Sequence, residues 1–382
     1  MEACARRGEN GKKLIFAAGP VPAELIYALD GIPLSLDLLV SRVSQDETLT
    51  AALIDSAELR ANSTLCAMNK AVTGMLVSER LGLTPDAFVT LPIPCDSART
   101  ACKELARFIK APVFNFDIPI RRNAKSVAYV ETQLGGLVRF LETVFGKRLE
   151  DGALAHRLRL YNHSEALLAR CVRLRAAAPC PASSHTALLN ELMNAFGPTE
   201  EMVRLLGDEL ALCETRIAAG FSPCPGGEKH RVLLMHNFRR ESLALTAWLE
   251  QAYGAATVLD GFCFGRREAF DKPADRHASF TVMARRLATG AAAHGSGVSG
   301  EALIAAAEAL IPEFRPDVFV LLGSRGCRHI WGAAKLISDA LTERFGFPML
   351  LADIDNTDSR YRSLPEIKRL LAEYMDSVVN RN

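Results

Sequence analysis

Four of the ten cysteines stand where a strand-like run ends or a helical run begins. Cys95 and Cys327 each follow an apolar, strand-like run and precede a helical one, and Cys263 follows the strand-like run ATVLDGF. Cys66 lies in the first turn of a predicted helix. The peptide dipoles at a helix N-terminus stabilise a thiolate, which is the form that binds metals. We therefore interpret these residues as candidates for metal binding or thiol reactivity.

The other six cysteines give no such signal, and a lone cysteine is most often a small buried hydrophobic residue. No CxxC pair occurs in the chain, so the sequence does not indicate a local zinc site or a ferredoxin-type site. We expect the following residues to belong to the core: Cys4, Cys102, Cys171, Cys180, Cys213 and Cys224.

The elements that must position the candidate cysteines alternate between strand and helix at both ends of the chain. The middle of the chain shows only the helical spacing of apolar residues and ends in a linker rich in proline and glycine. Such alternation is typical of parallel sheets covered by helices. The sequence therefore predicts an α/β fold with an N-terminal domain at 1–125, a helical segment at 126–225 and a C-terminal domain at 226–382. In such sheets, ligands bind beyond the carboxyl ends of the strands.

Local signals predict several helix ends. Ser63 is the expected N-cap of the helix that contains Cys66, and Gly31 is the expected end of the helix in PAELIYALD. Ser363 and Glu366 have the spacing of a capping box at the start of the last helix. The apolar stripe of that helix is expected to be core: Ile367, Leu370, Leu371, Tyr374, Met375 and Val378.

Composition and charge exclude several classes of function. The 382 residues are 49% hydrophobic and 23% charged, which is ordinary for a globular protein with a large core. A formal net charge of +1, without a basic run, argues against a nucleic-acid partner. No apolar run approaches the ~20 residues that span a bilayer, and the first apolar run ends too early for a signal peptide. We expect a cytoplasmic protein with reduced thiols and no membrane partner.

Six short motifs occur in an order that is typical of one family. From about Lys13 to the C-terminus they are VPAELIYALDGIPL, LCAMNKA, VTLPIPCDSAR, VLDGFCFGRR, VLLGSRGCRHIWGA and PMLLADIDNTDSRYRSLPEIKRLLAEYMD. With these motifs the chain resembles the 2-hydroxyglutaryl-CoA dehydratase D-component family, whose subunits are shared by 2-hydroxyacyl-CoA dehydratases and ATP-dependent benzoyl-CoA reductases. The run YNHSEALLARCVRLR also resembles a family helix that carries Asn and Arg.

This resemblance implies two Rossmann-like or flavodoxin-like domains joined by a helical segment, with a [4Fe-4S] cluster between them. By motif position, the three ligands of that cluster would be Cys66, Cys95 and Cys327. Three protein ligands leave one iron open to the thioester carbonyl of an acyl-CoA, as Lewis acid and one-electron donor. In the family, the electron produces a ketyl radical that permits loss of the hydroxyl group.

The resemblance also implies a function and partners. The chain would be the iron–sulfur subunit of an ATP-activated 2-hydroxyacyl-CoA dehydratase or of an aryl-CoA or acyl-CoA reductase. Its partners would be a homologous second subunit, in a heterodimer or a homodimer, and a separate ATP-hydrolysing iron–sulfur activator. The chain has no GxxxxGK(S/T) phosphate loop, which agrees with ATP being used elsewhere.

Three further residues are candidates to face the substrate or the cluster. Glu24 would lie in a first helical turn, where the helix dipole alone also favours a carboxylate. His329 would hydrogen-bond a cluster sulfur or the substrate, or else lie at the surface or cap a helix. Cys263 corresponds to a Cys-x-Gly turn of the family, with Gly265 allowing a tight turn, so a structural role is favoured. The acidic run at 353–360 is expected to form an Asx-type turn rather than a metal site.

Two alternatives remain open from the sequence. A homodimeric small-molecule reductase of the double-cubane type would carry additional cysteine-rich turns, and these do not occur around residues 278–290. A non-catalytic partner subunit would keep the fold and stabilise a catalytic homologue. The turns FAAGPVP and LLMHNFRRES differ from the usual turns of the family, and this difference keeps the second alternative open.

Overall fold

The structure is a computed structural model of the chain. It describes residues 11–60, 64–78, 82–91, 96–119, 123–182, 189, 192–193, 196–235, 242–261, 263, 268–289 and 300–379. The described residues form two four-stranded parallel sheets with helices around them. This arrangement confirms the predicted α/β fold with two parallel-sheet domains.

The N-terminal sheet is built from the first part of the chain. Its elements are β1 (Leu14–Ala18), α1 (Ala23–Ala28), β2 (Ile32–Ser35), α2 (Leu36–Val43), α3 (Glu47–Glu58), α4 (Ala67–Val77), β3 (Ala87–Thr90), α5 (Asp96–Phe108) and β4 (Val113–Asn115). The strands lie in the order β2-β1-β3-β4, and all neighbours are parallel. β1 and β3 are buried along their whole length, as their largely apolar sequences predict.

The sequence does not predict β2, because Pro33 interrupts the pattern. This strand lies at the edge of the sheet, where a proline is tolerated because its missing N–H can face away from the ladder.

The helix before β2 also ends differently from the expectation. Asp30, with φ 57°, takes the left-handed conformation after α1, whereas Gly31 does not. Gly31 is required by space instead, because a Cβ there would collide with the ring of Phe145.

Three long helices connect the two sheets. They are α6 (Ala124–Phe145), α7 (Asp151–Leu174) and α8 (Glu200–Ala218). The Asn123 side chain accepts a hydrogen bond from the Ser126 amide at 3.1 Å, which caps α6. Thr199 caps α8 in the same way, accepting from the Met202 amide at 3.1 Å. α7 and α8 pack along each other and form the body of the connecting segment.

The C-terminal sheet has the same strand order as the first. Its elements are β5 (His230–Met235), α9 (Ser242–Tyr253), β6 (Ala255–Asp260), α10 (Arg276–Thr289), α11 (Gly300–Phe314), β7 (Val318–Ser324), α12 (Arg328–Phe345), β8 (Met349–Ile354) and α13 (Leu364–Tyr374), which a π-helical turn (Met375–Val379) follows. The strands lie in the order β6-β5-β7-β8, again all parallel. Each sheet thus places its first strand between its second and its third.

One helix from the C-terminal part of the chain packs in the N-terminal half of the molecule. α10 lies along α6, and Val282 and Met283 of α10 are buried in the same core as Ile15 and Val89 of the first sheet. The connecting helices and α10 therefore cover one face of that sheet together. The domain limits predicted from the sequence divide the chain into three consecutive segments and do not include this crossing. These limits remain a prediction.

Several local expectations are confirmed. The Ser363 amide and hydroxyl donate to Glu366 Oε2 at 2.7 Å and 2.6 Å, which forms the predicted capping box of α13. Five of the cysteines assigned to the core are buried, and Cys4 lies outside the described residues. In the part of the chain that the structure describes, no helix is both long and apolar enough to cross a membrane.

Candidate functional site

Cys66 and Cys327 belong to different halves of the molecule, and the structure brings them together. Gly326, the residue before Cys327, packs directly against Cys66. An added Cβ on Gly326 would lie 2.7 Å from Cβ of Cys66 and 3.0 Å from its Cα. Both cysteines are partly buried. Two of the three ligands that the family resemblance implies are therefore neighbours in space, although they are far apart in the sequence.

Cys66 is the N-cap residue of α4, with φ −67° and ψ 156°. This corrects the expected start of the helix, because α4 begins at Ala67 and Ser63 lies outside the described residues. α3 holds α4 in place at close range, since a Cβ on Gly74 would collide with the carbonyl of Leu53. The packing of these two helices fixes the start of α4 and with it the position of Cys66.

Cys327 is the N-cap residue of α12 and follows a tight turn after β7. Its amide donates to the carbonyl of Ser324 at 2.8 Å, and Nε1 of Trp331 donates to the same carbonyl at 3.1 Å. Gly323 makes room for this indole ring, because a Cβ there would lie only 2.5 Å from it. The turn that presents Cys327 is thus held by its own backbone and by the first turn of α12.

Two polar side chains, Asn69 and Ser97, hold Cys66. Nδ2 of Asn69 donates to Sγ of Cys66 at 3.2 Å and to Oγ of Ser97 at 2.9 Å. The hydroxyl oxygen of Ser97 also accepts from the Cys66 amide at 3.1 Å. The contacts therefore restrain both the backbone and the sulfur of Cys66. The term "cysteine junction" is used below for Cys66, Asn69, Ser97, Gly326 and Cys327.

Cys95, the third implied ligand, lies outside the described residues. The next residue, Asp96, is described and begins α5, and Ser97 is part of the cysteine junction. Among the described residues, no group of three or more His, Cys, Asp or Glu side chains is placed to hold a metal ion. The ligand role of the three cysteines therefore stays a prediction.

The shared strand order places Cys327 at the edge of the second sheet where ligands usually bind in such folds. In this order, successive connections leave the first strand in opposite directions, so a crevice opens between β1 and β3 and between β5 and β7. Cys327 follows β7 at the crevice of the second sheet. At the crevice of the first sheet, Gly19 adopts φ 78° and lies against the carbonyl of Leu91, where a Cβ would collide.

The surroundings of Cys327 disfavour its thiolate form, although a helix N-terminus usually stabilises a thiolate. Burial raises the pKa of Cys327, and the charge of Cys66 raises it further. The backbone amides of Ile330 and His329 act in the opposite sense and do not outweigh burial. The raised pKa favours the thiol form of Cys327 when no cation is bound.

Cys263 lies just beyond the carboxyl end of β6, in a turn where its amide donates to the carbonyl of Asp260 at 2.9 Å. Its sulfur lies 3.3 Å from Nη1 of Arg175, and the same nitrogen donates to Oδ2 of Asp260 at 2.7 Å. Burial, followed by the charge of Asp260, raises the pKa of Cys263 to about 12. These contacts favour the structural interpretation of Cys263, and Gly265 lies outside the described residues.

Glu24 lies in the first turn of α1, close to the end of β1, and only 6% of its surface is exposed. Its Oε1 lies 3.8 Å from Nη1 of Arg286, which belongs to α10. That guanidinium group also lies over the ring of Tyr161, 3.9 Å from the centroid. Glu24 thus takes part in an ion pair that links α1 to the crossing helix, whatever its role toward a substrate.

His329 is partly buried in the first turn of α12, two residues after Cys327. Its backbone amide is one of the two groups that favour the thiolate form of Cys327. That effect comes from the main chain and does not depend on the imidazole. A role of the His329 ring toward a cluster sulfur or a substrate stays a prediction.

The acidic run after β8 forms the expected Asx-type turn. Oδ1 of Asp355 accepts from the amides of Thr357 and Asp358, each at 2.9 Å. From the same segment, Nη1 of Arg360 reaches the first half of the molecule and donates to Asp55 of α3 at 2.8 Å. The turn therefore adds a contact between the halves on the side of α3.

Sequence reasoning missed three members of the junction: Asn69, Ser97 and Gly326. Asn69 had a detectable signal, because it stands three residues after Cys66 in a helix, where residues i and i+3 share a face. Gly326 also had a signal, since a glycine beside a candidate ligand is typical of a close backbone approach. Ser97 had none, because it contacts Cys66 across 31 positions of the chain.

The strand order and the cysteine junction together define a two-domain α/β protein with a candidate cysteine site between its halves. The family model described as 2-hydroxyglutaryl-CoA dehydratase, D-component, matches residues 20–370, and the chain belongs to this family. The resemblance seen in the sequence is thereby confirmed, and a dehydratase subunit family supports an enzymatic role. No curated protein matches the chain significantly.

Proposed function

We propose that this chain is the iron–sulfur subunit of an ATP-activated enzyme that dehydrates a 2-hydroxyacyl-CoA or reduces an aryl-CoA or acyl-CoA thioester. The match over residues 20–370 supports this class of chemistry. The observation that carries the proposal is the meeting of Cys66 and Cys327, from the two halves of the molecule, at the starts of two helices. Cysteines that serve only as separate core residues would not be expected to meet at the starts of two helices.

The donor set of the cysteine junction fits an iron–sulfur cluster. Cysteine thiolates are the usual ligands of such clusters, and Cys66 and Cys327 would supply two of them. We propose Cys95 as the third, because its motif position implies it and because Ser97, two residues later, contacts Cys66. Cys66 and Cys327 are both partly buried, which limits the access of bulk water to the site.

When bound, a [4Fe-4S] cluster with three cysteine ligands would supply an open iron as Lewis acid and one-electron donor toward a thioester carbonyl. The residues of this chain have other tasks. Asn69 and Ser97 orient Cys66, and the turn after β7 orients Cys327. Glu24 and His329 are the proposed groups for holding or moving a proton of the substrate.

The proposed partners follow from the same class of enzyme. The electron would come from a separate ATP-hydrolysing iron–sulfur activator, since this chain has no phosphate loop of the GxxxxGK(S/T) type. A homologous second subunit would complete the enzyme. We propose a reducing compartment such as the cytoplasm, where cysteine ligands stay reduced and able to bind a cluster.

Anaerobic purification followed by iron and sulfide analysis and EPR tests this function. We expect about four irons per chain in the wild type. Cys66→Ala, Cys95→Ala and Cys327→Ala should each lose the cluster, because each variant removes one of three thiolate ligands. Cys171→Ala is the matched control, since this buried cysteine of α7 should leave the iron content unchanged.

The outcomes separate the alternatives. A wild type without iron under anaerobic reconstitution would contradict the cluster and favour a non-catalytic partner subunit. About eight irons per chain would favour a reductase of the double-cubane type. Full iron content in both Cys66→Ala and Cys327→Ala would show that the junction is not the ligand site.

A further inference from the structure

We propose that Asn69 is a positioning residue of the cluster site, which fixes the sulfur of Cys66 together with Ser97 and raises the reduction potential of the cluster. This inference rests on the proposed function and assigns a task to residues outside the ligand set. It follows from a closed set of hydrogen bonds among three residues.

The three hydrogen bonds form a ring that begins and ends at Cys66. The Cys66 amide donates to Oγ of Ser97 at 3.1 Å, and Nδ2 of Asn69 donates to the same oxygen at 2.9 Å. The second N–H of that amide group donates to Sγ of Cys66 at 3.2 Å. A side-chain amide carries two N–H donors, so it can make both bonds at once.

The orientation of the Asn69 amide follows from this ring. A coordinated cysteine sulfur can only accept hydrogen bonds, so it needs a donor beside it. With the amide reversed, Oδ1 would face the sulfur and the contact would become repulsive. The Asn69 side chain is therefore suited to a thiolate ligand rather than merely adjacent to one.

The helix start departs from the usual capping arrangement in a way that supports this role. In a capping box, the third helical residue accepts from the amide of the N-cap residue. Asn69 is the third residue of α4, yet the amide of the N-cap residue Cys66 is satisfied by Ser97 instead. Ser97 thereby frees Asn69 to donate toward the sulfur.

Two consequences follow for a bound cluster. An N–H···S hydrogen bond stabilises negative charge on sulfur, and the reduced cluster carries one more negative charge than the oxidised one. The bond therefore favours the reduced state and raises the reduction potential. The ring also ties the start of α4 to the start of α5, so it restrains the Cys66 side of the site.

Asn69→Leu tests the proposal, because it keeps the approximate shape of the side chain and removes the donor without adding a charge beside the sulfur. We expect the midpoint potential of the reconstituted cluster, titrated with dithionite and followed by EPR, to shift to more negative values. We also expect a chelator to remove iron faster, because loss of an outer hydrogen-bond partner of a metal ligand typically weakens metal binding about 10–100-fold. A wild-type potential together with a wild-type rate of iron loss would overturn the proposal.

Asn162→Leu is the matched control for the chemical change. Nδ2 of Asn162 donates to the carbonyl of Phe270 at 2.9 Å, so the substitution also removes one donor from a helix. Its cluster should keep the wild-type potential even if the protein is less stable. An equal shift of the potential in both variants would show a general effect of destabilisation and would overturn the role of Asn69.

Ser97 provides a second, milder test should Asn69→Leu fail to fold. Ser97→Ala should speed the loss of iron, and Ser97→Thr should restore the wild-type rate because it keeps the hydroxyl group. Equal rates in wild type and Ser97→Ala would remove Ser97 from the ring. If the wild type itself binds no iron, the proposed function fails; if the wild type binds iron and the variants behave like it, only this inference fails.

Discussion

Gly326 shows how much of the junction depends on a single residue. An added Cβ there would lie 2.7 Å from Cβ of Cys66, closer than real Cβ atoms approach other atoms, and 3.0 Å from its Cα, which is also a tight contact. One of the two contacted atoms belongs to the backbone, so a change of rotamer cannot relieve the clash. The two halves would have to move apart at the point where their cysteines meet.

Gly326→Ala should therefore reduce the iron bound per chain after anaerobic reconstitution, while the far-UV circular dichroism stays that of a folded protein. The expected loss is severalfold, since displacement of one of three ligands weakens the whole set. Iron analysis and circular dichroism on the same sample measure both effects.

Gly332 provides the matched control, because it lies in α12 and nothing lies within 4 Å of a Cβ there. Gly332→Ala should keep its iron and gain about 0.5–1 kcal/mol of stability from improved helix propensity. If Gly326→Ala also retained full iron, the close approach of Cys66 to the turn would have no bearing on the site.

The separate elements follow mostly from local rules, and the cap of α8 illustrates this. Thr199 accepts from the Met202 amide at 3.1 Å and satisfies one of the donors at the helix start. Thr199→Ala should cost about 1 kcal/mol of helix stability. Hydrogen–deuterium exchange should show faster exchange of the amides in the first turn of α8.

The control for this prediction lies in the same helix. Thr215 is inside α8, where its hydroxyl donates to the carbonyl of Ala211 at 2.8 Å. Thr215→Ala should be neutral or slightly stabilising, because alanine has the higher helix propensity. Similar exchange in the first turn for both variants would argue against a capping role of Thr199.

The sequence predicted elements where one local rule decides the structure. The strands β1, β3 and β7 are apolar runs that lie buried, and the box of Ser363 and Glu366 formed as its spacing indicates. β2 was missed, because only its place at the sheet edge makes Pro33 acceptable. The start of α4 was misplaced, because a cysteine is an unusual N-cap and the hydroxyl that accepts from its amide belongs to Ser97 of α5.

The candidate site was predictable only as a set of residue types in suitable places. Thiols at helix starts and strand ends pointed to Cys66 and Cys327, but nothing in their local sequence states that they meet. Their meeting depends on Gly326 and on helix packing between α3 and α4, which are properties of the assembled chain. The crossing of α10 into the first half is of the same kind, since no local pattern encodes it.

Buried arginines join the connecting segment to the C-terminal sheet in the molecule as a whole. Arg231 donates to the carbonyls of Arg175 and Ala176 at 3.1 Å and 3.2 Å, just after the end of α7. Arg175 in turn donates to Asp260 at 2.7 Å and to the carbonyl of Thr257 at 2.9 Å. These contacts hold the end of α7 against β6, next to the turn that contains Cys263.

The ion pair of Arg175 with Asp260 should be costly to break and easier to replace. Both side chains are almost completely buried, with 2% and 5% exposed, so removing one charge leaves the other in a poorly solvated place. Arg175→Met should lower the free energy of unfolding by about 3–5 kcal/mol, measured by urea denaturation. The double variant Arg175→Met with Asp260→Leu should recover part of this loss, because it removes both charges and fills the space with apolar groups. Equal destabilisation of the single and the double variant would mean that Arg175 acts through packing and its bond to Thr257, and not through the buried charge of Asp260.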